Sequence, residues 1–448
     1  MQNLLCPIAK NALENPNACA IEEPSLSYAQ LEEKVQQTQH YLRELLLGRY
    51  HVGVVASPSL STILLYFAAL REGLSVCMLN PKMPQQALEN AIDALHLRVI
   101  SAPSALPQKK ERCNTTIAEE HTCTYLFTSG SSAHPKIAAL SLKNHYYSAL
   151  GMLSALGLTS SSRYLLSLPL HHVSGLSILY RTWMSGATLV LPKEDSFTPH
   201  RLTEDRISHL SLVSTQFIRL LEQEAPLPHL RSLLLGGSFI PQNHLEKGIE
   251  RKLPLYLSYG LTEMASTVCL QNLQTGHFSC GSLLPYRELQ VSKEGEIFVQ
   301  GETLFKGYYD TISQEIIPHK GWFATRDIGT YHPLQGLTLQ GRKDRLMISG
   351  GENIQPEEIE NHIKNLPDVK QAVILSLPDP LFGEKMVAIV AGNVSFSTLS
   401  STLSTQLPPY KVPRHYLPWP SFQESSQKIS AEIRQKLRLY ALKHERLQ

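Results

Sequence analysis

The stretch "TYLFTSGSSAHPK", residues 124–136, decides how the rest of the chain reads. Its first half, ending at Phe127, has the β-branched and aromatic content of a strand. Its second half offers Thr128, Ser129, Gly130, Ser131 and Ser132, then Lys136, with no acidic residue anywhere. Hydroxyl and backbone N–H donors around a flexible glycine can wrap phosphate oxygens, and a lysine adds a point charge for the same anion. The segment thus has the chemistry of a phosphate loop. It is not a Walker A loop, because GxxxxGK[ST] is absent, and alone it also reads as a polar turn after a strand.

Working outward, "HVGVVAS", "LSVCMLN", "RYLLSLPL", "ATLVLP", "HLSLVST", "RSLLLGG" and "LPLYLSYG" alternate with amphipathic segments of helix length. That alternation predicts an α/β fold of parallel, helix-covered sheets with ligands gathered where strands end. Between about 280 and 340, "EGEIFVQG" and "QGLTLQGR" predict a small antiparallel or barrel-like unit of short strands. Beyond Arg342, "NIQPEEIENHIKNLPDV" predicts a helix starting at Pro356. Glu357 and Glu358 fall in its first turn, and Ile359, Ile363 and Leu366 form an apolar stripe. "KQAVILSLPD" and "KMVAIVAG" read as strands of a separate small α+β unit, which places a domain boundary at 341–345. "SFSTLSSTLSTQLPP" reads as a surface stretch.

The chain has 448 residues, 42% of them hydrophobic, and a net charge of +2, too large for one core and ordinary in composition. No long Lys/Arg run exists, which argues against nucleic acid as a partner. Neither a signal peptide nor an apolar run of membrane-spanning length is found, so no integral membrane association is expected. Seven cysteines without a CxxC pair speak against a disulfide framework or a zinc site. The expected address is the cytoplasm.

Two further segments share the character of the opening loop. "LSYGLTEMAST", residues 257–267, places Tyr259, Gly260, Thr262 and Glu263 after a strand. A tyrosine ring can stack on a base, a threonine can bond a phosphate, and a glutamate can hold the magnesium that phosphates bring; a strand end before a capped helix explains the same letters. "GWFATRDIG" places Asp327 on a glycine-flanked turn, where a carboxylate can accept from a ribose diol, or can be a turn aspartate only.

The order hydroxyl/lysine loop, Tyr-Gly-Leu-Thr-Glu, Gly-Trp-Phe-x-x-x-Asp and Gly-Arg-x-Asp resembles the adenylate-forming superfamily of acyl-CoA synthetases, adenylation domains and luciferases. The likeness runs over nearly the whole chain, "SLSYAQLEEKVQQ" and "LREGLSVCMLNPKMPQQAL" included. It implies an N-terminal domain, 1–341, that binds ATP and an acid, and a mobile C-terminal domain, 342–448. It implies acyl-AMP formation and then transfer to a thiol, with ATP, magnesium and CoA as the cofactor set and a small-molecule acid as substrate. On that resemblance Thr128 to Ser132 and Lys136 hold the β- and γ-phosphates. Tyr259, with Gly260, flanks the adenine, Thr262 meets the α-phosphate, Glu263 the metal, and Asp327 with Arg342 the ribose. Asp344 is the hinge, Gly350 and Gly351 line the pantetheine path, and Lys428 bridges the attacking carboxylate and the α-phosphate.

The chain departs from the family pattern at Ala133, Ile137 and Gln427, where relatives carry glycine. Losing a glycine either reshapes the phosphate loop or loosens its hold on ATP, and a nucleotide-binding protein with degenerate chemistry is the non-enzymatic reading of those changes. "LPLHHVSGLSIL", "HLSLVSTQFIRLL", "LLLGGSFIP" and "ISGGENIQPEEIE" resemble the o-succinylbenzoate:CoA ligase branch. The alternatives are ligases for other aryl or medium-chain acids, or an enzyme loading a carrier protein. His172, Gly175, Gly236 and Gly237 are then substrate-side residues. The second carboxylate of an aromatic keto-diacid needs a cation, for which Arg219 is the candidate, with Gln216, Ser238 and Thr267 as polar neighbours.

Overall fold

The computed structural model describes residues 2–45, 51–103, 105–107, 113–128, 136–276, 278–349, 352–379, 383–425 and 429–445. Two large sheets dominate. In the first, seven strands run in the order Glu315–Pro318, Gly307–Asp310, Lys136–Ser141, Thr122–Thr128, Ser75–Leu79, His51–Val55 and Arg98–Ile100. In the second the order is Ser282–Leu283, Ser266–Asn272, Leu255–Leu261, Ser232–Leu235, His209–Leu212, Arg163–Leu165, Thr188–Val190, Cys19–Glu22 and Leu26–Ser27.

Helices fill the space between the sheets. Leu60–Arg71 and Leu142–Leu153 cover the first sheet, Tyr28–Leu45 and Val173–Met184 the second, and the two pairs pack on each other. The composition "LSTILLYFAALR" explains the position of Leu60–Arg71, which is apolar on nearly all sides and buried on both. Ser59 starts this helix by accepting a hydrogen bond from the Thr62 N–H (3.4 Å). One continuous core joins Val52 and Val76 of the first sheet to Ile21 and Leu189 of the second through Phe67 and Trp183.

The expected parallel pairing holds in the middle of both sheets but fails at two site-bearing places. Thr122–Thr128 pairs antiparallel with Lys136–Ser141, and Leu255–Leu261 antiparallel with Ser266–Asn272. The reason is connection length, since a parallel neighbour needs a crossover of about a dozen residues or more and these links are shorter.

Residues 287–342 form the expected antiparallel unit, four strands ordered Arg287–Val291, Glu296–Gly301, Phe323–His332 and Gly336–Arg342. A hairpin within this span, Gly307–Asp310 with Glu315–Pro318, leaves the small sheet and extends the first large one beside Lys136–Ser141.

After the short turn Lys343–Arg345, helix Pro356–Lys364 begins where expected and buries Ile359 and Ile363, while Leu366 lies past its end. A three-stranded sheet, Val369–Asp379, Gly383–Gly392 and His415–Pro418, follows. Two hydrophobic clusters here draw only on residues from 347 onward. The serine/threonine-rich stretch is not simply surface: Phe396–Gln406 is a helix, capped by the Ser395 hydroxyl accepting from Thr398 N (3.1 Å). Its leucines at i and i+4, Leu399 and Leu403, put one apolar stripe into the core. No helix among the described residues is long and apolar enough to cross a membrane.

Candidate active site

The two ends of the opening stretch lie on antiparallel strands, Thr122–Thr128 and Lys136–Ser141. Thr128 and Lys136 are register partners, and the Thr128 hydroxyl donates to the Lys136 carbonyl (3.3 Å). Ser129, Gly130, Ser131 and Ser132, and Ala133 with them, lie outside the described residues, as do Gly350, Gly351 and Lys428. The Lys136 ammonium stands 4.8 Å from the centre of the Tyr308 ring, within cation–π range.

A hairpin carries Tyr259, Gly260, Thr262 and Glu263. A bulge at Tyr259/Gly260 and the 3-10 turn Thr262–Met264 close its end tightly. A Cβ on Gly260 would come within 2.2 Å of the Ser266 carbonyl oxygen, so this approach admits glycine only. The Glu263 carbonyl accepts from Phe305 N (2.8 Å), and its carboxylate accepts from the Tyr308 hydroxyl (2.5 Å). The carboxylate is half-buried, and among the described residues no cationic side chain is paired with it. No group of three or more His, Cys, Asp and Glu among the described residues could cage a metal. A lone carboxylate suits magnesium, which draws most of its shell from water and phosphate oxygens.

The Tyr259 ring, expected to flank the adenine, is largely covered by the protein itself. It is 6% exposed and packs with Met264, Val268, Ile297 and Val299, because the four-stranded sheet covers this hairpin. Its hydroxyl instead donates to Asp327 (2.7 Å), leaving Gly260 at the surface. Asp327 is likewise not on a turn. It lies inside strand Phe323–His332, opposite Arg342, and the expected glycine punctuation is absorbed as a bulge between Ile328 and Gly329. Asp327 pairs with Arg342 (2.9 Å). Burial pushes the Asp327 carboxyl above its ordinary range, against the Tyr259 hydrogen bond and the Arg342 charge. Burial also opposes the Arg342 charge, but the Asp344 hydrogen bond and the two neighbouring carboxylates outweigh it and raise its pKa.

Asp344 accepts from Arg342 Nε (3.0 Å). The residues beside it are tied in opposite directions. Lys343 pairs upstream with Glu296 (2.5 Å), whereas Arg345 pairs downstream with Glu357 (2.5 Å) and Glu360 (2.7 Å). Glu360 is buried and further holds Arg434 and the Ile374 N–H.

On the other flank His172 is the exposed N-cap of helix Val173–Met184, its ring 4.3 Å from that of His171. Gly175 is buried against its own chain rather than walling a cavity: a Cβ there would lie 2.2 Å from the Pro169 carbonyl oxygen. Gly236 is half-buried and Gly237 exposed, just after strand Ser232–Leu235. Arg219 is exposed. Helix Ser214–Leu221 buries Phe217 and Leu220, which turns residue 219 to solvent. Gln216 is engaged with Val213 N and the Ser167 carbonyl, Ser238 is exposed, and Thr267 is buried.

The cation that reaches the Tyr259 hairpin is Arg181, 1% exposed on helix Val173–Met184. One terminal nitrogen donates to the Ser266 and Thr267 hydroxyls (3.1 Å each), while Nε has no partner. No carboxylate among the described residues pairs with it. Arg287 donates to the Thr267 carbonyl from the other side (2.9 Å), also with backbone and hydroxyl acceptors only. Burial, and then the Arg181 charge, pull the Arg287 pKa down to about 9. Two cations therefore share this interior with no acid among the described residues to offset them.

Residues 8–309 match the model of the AMP-binding enzyme family. The chain belongs to that family. This AMP-binding enzyme is 34% identical to the 2-succinylbenzoate–CoA ligase of Salmonella typhimurium over 80% of its own length and 81% of the relative's. To the ligase of that name from Haemophilus influenzae it is 33% identical, over 90% and 91% of the two chains. Its structure superposes with a TM-score of 0.81 and 28% identity on Escherichia coli MenE bound to an OSB-AMS analogue, covering 97% and 99% of the two chains. With o-succinylbenzoate coenzyme A synthetase from Bacillus subtilis, in complex with ATP and magnesium, the TM-score is 0.85 at 25% identity, covering 98% and 100%.

Three residues of this AMP-binding enzyme escaped the sequence reading. Arg181 had a signal, a lone charge in the otherwise apolar "LSILYRTW". Arg287 and Tyr308 had none, because the fold brings them partners distant in the chain: the Tyr147 and Ser148 carbonyls to Arg287, and Glu263 to Tyr308.

Proposed function

We propose that this AMP-binding enzyme is an AMP-forming 2-succinylbenzoate–CoA ligase. The observation that carries the choice of acid is Arg181, a buried guanidinium with an unfilled Nε and a second cation beside it. A site of that kind favours a substrate that brings its own carboxylate, since an anion would relieve both charges at once. The second carboxylate of the substrate enters there, and the first points to the nucleotide.

The first carboxylate attacks the α-phosphorus of ATP, the bond to pyrophosphate breaks, and acyl-AMP forms. A CoA thiolate then attacks the acyl carbon and AMP leaves. Thr128, Ser129, Gly130, Ser131, Ser132 and Lys136 hold the departing phosphates, and Thr262 faces the α-phosphate. Asp327, fixed by Tyr259 and Arg342, accepts from the ribose hydroxyls. Magnesium held at Glu263 would neutralise phosphate charge. Lys428 stabilises charge developing at the α-phosphate, an effect worth several kcal/mol, about 3, in comparable sites. His172 gates the acid. Residues 1–341 and 342–448 turn against each other at Asp344 so that Gly350 and Gly351 admit pantetheine, and the reaction runs in the cytoplasm.

Incubation with ATP, magnesium, CoA and a panel of acids, read as AMP release, tests the proposal. 2-Succinylbenzoate giving no more AMP than the control without acid would overturn it, and a need for a phosphopantetheinylated protein in place of CoA would reassign the acceptor. Lys428→Ala is expected to cripple adenylation while sparing thioester formation from supplied acyl-AMP.

A further inference from the structure

Tyr308 stands between the two residues assigned above to the triphosphate and its metal. Its hydroxyl donates to Glu263 (2.5 Å), and Lys136 lies over its ring, 4.8 Å from the centre. The strand that carries it, Gly307–Asp310, is paired on both edges, Tyr308 lying opposite Ala138 on one side and Ile317 on the other. Phe305 packs edge-on against the ring at 4.8 Å, and its N–H also binds the Glu263 carbonyl. Backbone and side chain of Glu263 are thus both referred to one rigid segment, residues 305–308.

We infer that Tyr308 is a positioning residue that holds Glu263 and Lys136 apart and aimed before nucleotide binds. The inference rests on the proposed metal role of Glu263. Without a partner between them, a lysine and a glutamate on neighbouring elements would relax into an ion pair, and each would neutralise the charge the other needs to keep available. The hydroxyl occupies one carboxylate oxygen and leaves the other for a cation. The negative face of the ring draws the ammonium away from that carboxylate. A hydrogen-bonding partner of this kind governs metal affinity by fixing the ligand's orientation.

The test is a titration of the full chain with Mn2+ in the presence of α,β-methylene-ATP, following free Mn2+ by electron paramagnetic resonance, with analogue affinity measured separately in EDTA. Tyr308→Phe keeps the ring and removes the hydroxyl; Mn2+ affinity is expected to fall about 10-fold, with analogue binding in EDTA unchanged. Tyr308→Leu removes the ring as well and is expected to weaken analogue binding in EDTA by about 3-fold. Glu263→Gln serves as the control for the metal assignment. Native Mn2+ affinity in Tyr308→Phe, beside a weakened Glu263→Gln, overturns the inference. Native affinity in Glu263→Gln overturns the metal assignment instead, and equal analogue binding in the Phe and Leu variants removes the part given to Lys136.

Discussion

The two ends of the site are wired on opposite principles. At the ribose end, Asp327 has a hydroxyl and a guanidinium, and Arg342 has two carboxylates. At the acid end, the partners of Arg181 and Arg287 among the described residues are hydroxyls and carbonyls, and the Arg181 Nε donor has none. The first end is complete in the protein alone, so a ligand there adds contacts to a fixed frame. The second carries an unbalanced charge, so its ligand supplies a missing partner. A buried charge lacking its counter-ion is costly, and such a cost persists where binding relieves it.

Substituting the unbalanced end should have the largest effect. Arg181→Gln is expected to raise KM for 2-succinylbenzoate on the order of 10²-fold, the loss of a charge-assisted pair, with KM for ATP unchanged. An acid lacking the second carboxylate should be indifferent to the substitution, and steady-state kinetics with both acids would show it. At the balanced end Asp327→Asn should cost about 10-fold in ATP affinity, the scale of one charged hydrogen bond, and change the melting temperature little, because Arg342 keeps its pair with Asp344. Equal sensitivity of acid and ATP binding in either variant would erase the contrast between the ends.

A third, smaller effect comes from beneath the acid end. His145 is fully buried, stacks on Tyr180 beside Arg181, and bonds the Thr124 hydroxyl (3.0 Å). Burial pushes its pKa from 6.5 down to about 3. Between those values the unfolded chain holds a proton that the folded chain refuses, so this contribution to stability is complete above 6.5 and is lost as pH falls toward 3. Melting temperatures at about pH 7.5 and about pH 5 should diverge more for wild type than for His145→Asn. The smallest effect is reserved for Arg219→Ala, which should leave kinetics and stability at wild-type level, because residue 219 faces solvent.

The sequence made the order of the loops and the helix at Pro356 legible, since these depend on neighbours along the chain. It misassigned Arg219 for a local reason as well. Both arginines sit on helices, but three and four residues to either side, on the same helix face, Arg219 is flanked by Thr215, Gln216, Glu222 and Gln223, whereas Arg181 is flanked by Ser177, Ile178, Met184 and Ser185. Those flanks distinguish a solvated arginine from a buried one. The Tyr259 ring could not be read this way, because strands Glu296–Gly301 and Phe323–His332 decide its burial from far along the chain. The same holds for Tyr308, delivered to Glu263 by a hairpin that leaves its parent sheet.

The opposed ion pairs around Asp344 have a kinematic consequence. With Lys343 moored to Glu296 and Arg345 to Glu357 and Glu360, turning one unit against the other without parting an ion pair would leave the torsions at residue 344 as the axle. A body hung on that one residue turns about two bonds, N–Cα and Cα–C, and about nothing else. Each orientation it takes would then be a pair of angles, set at a single α-carbon.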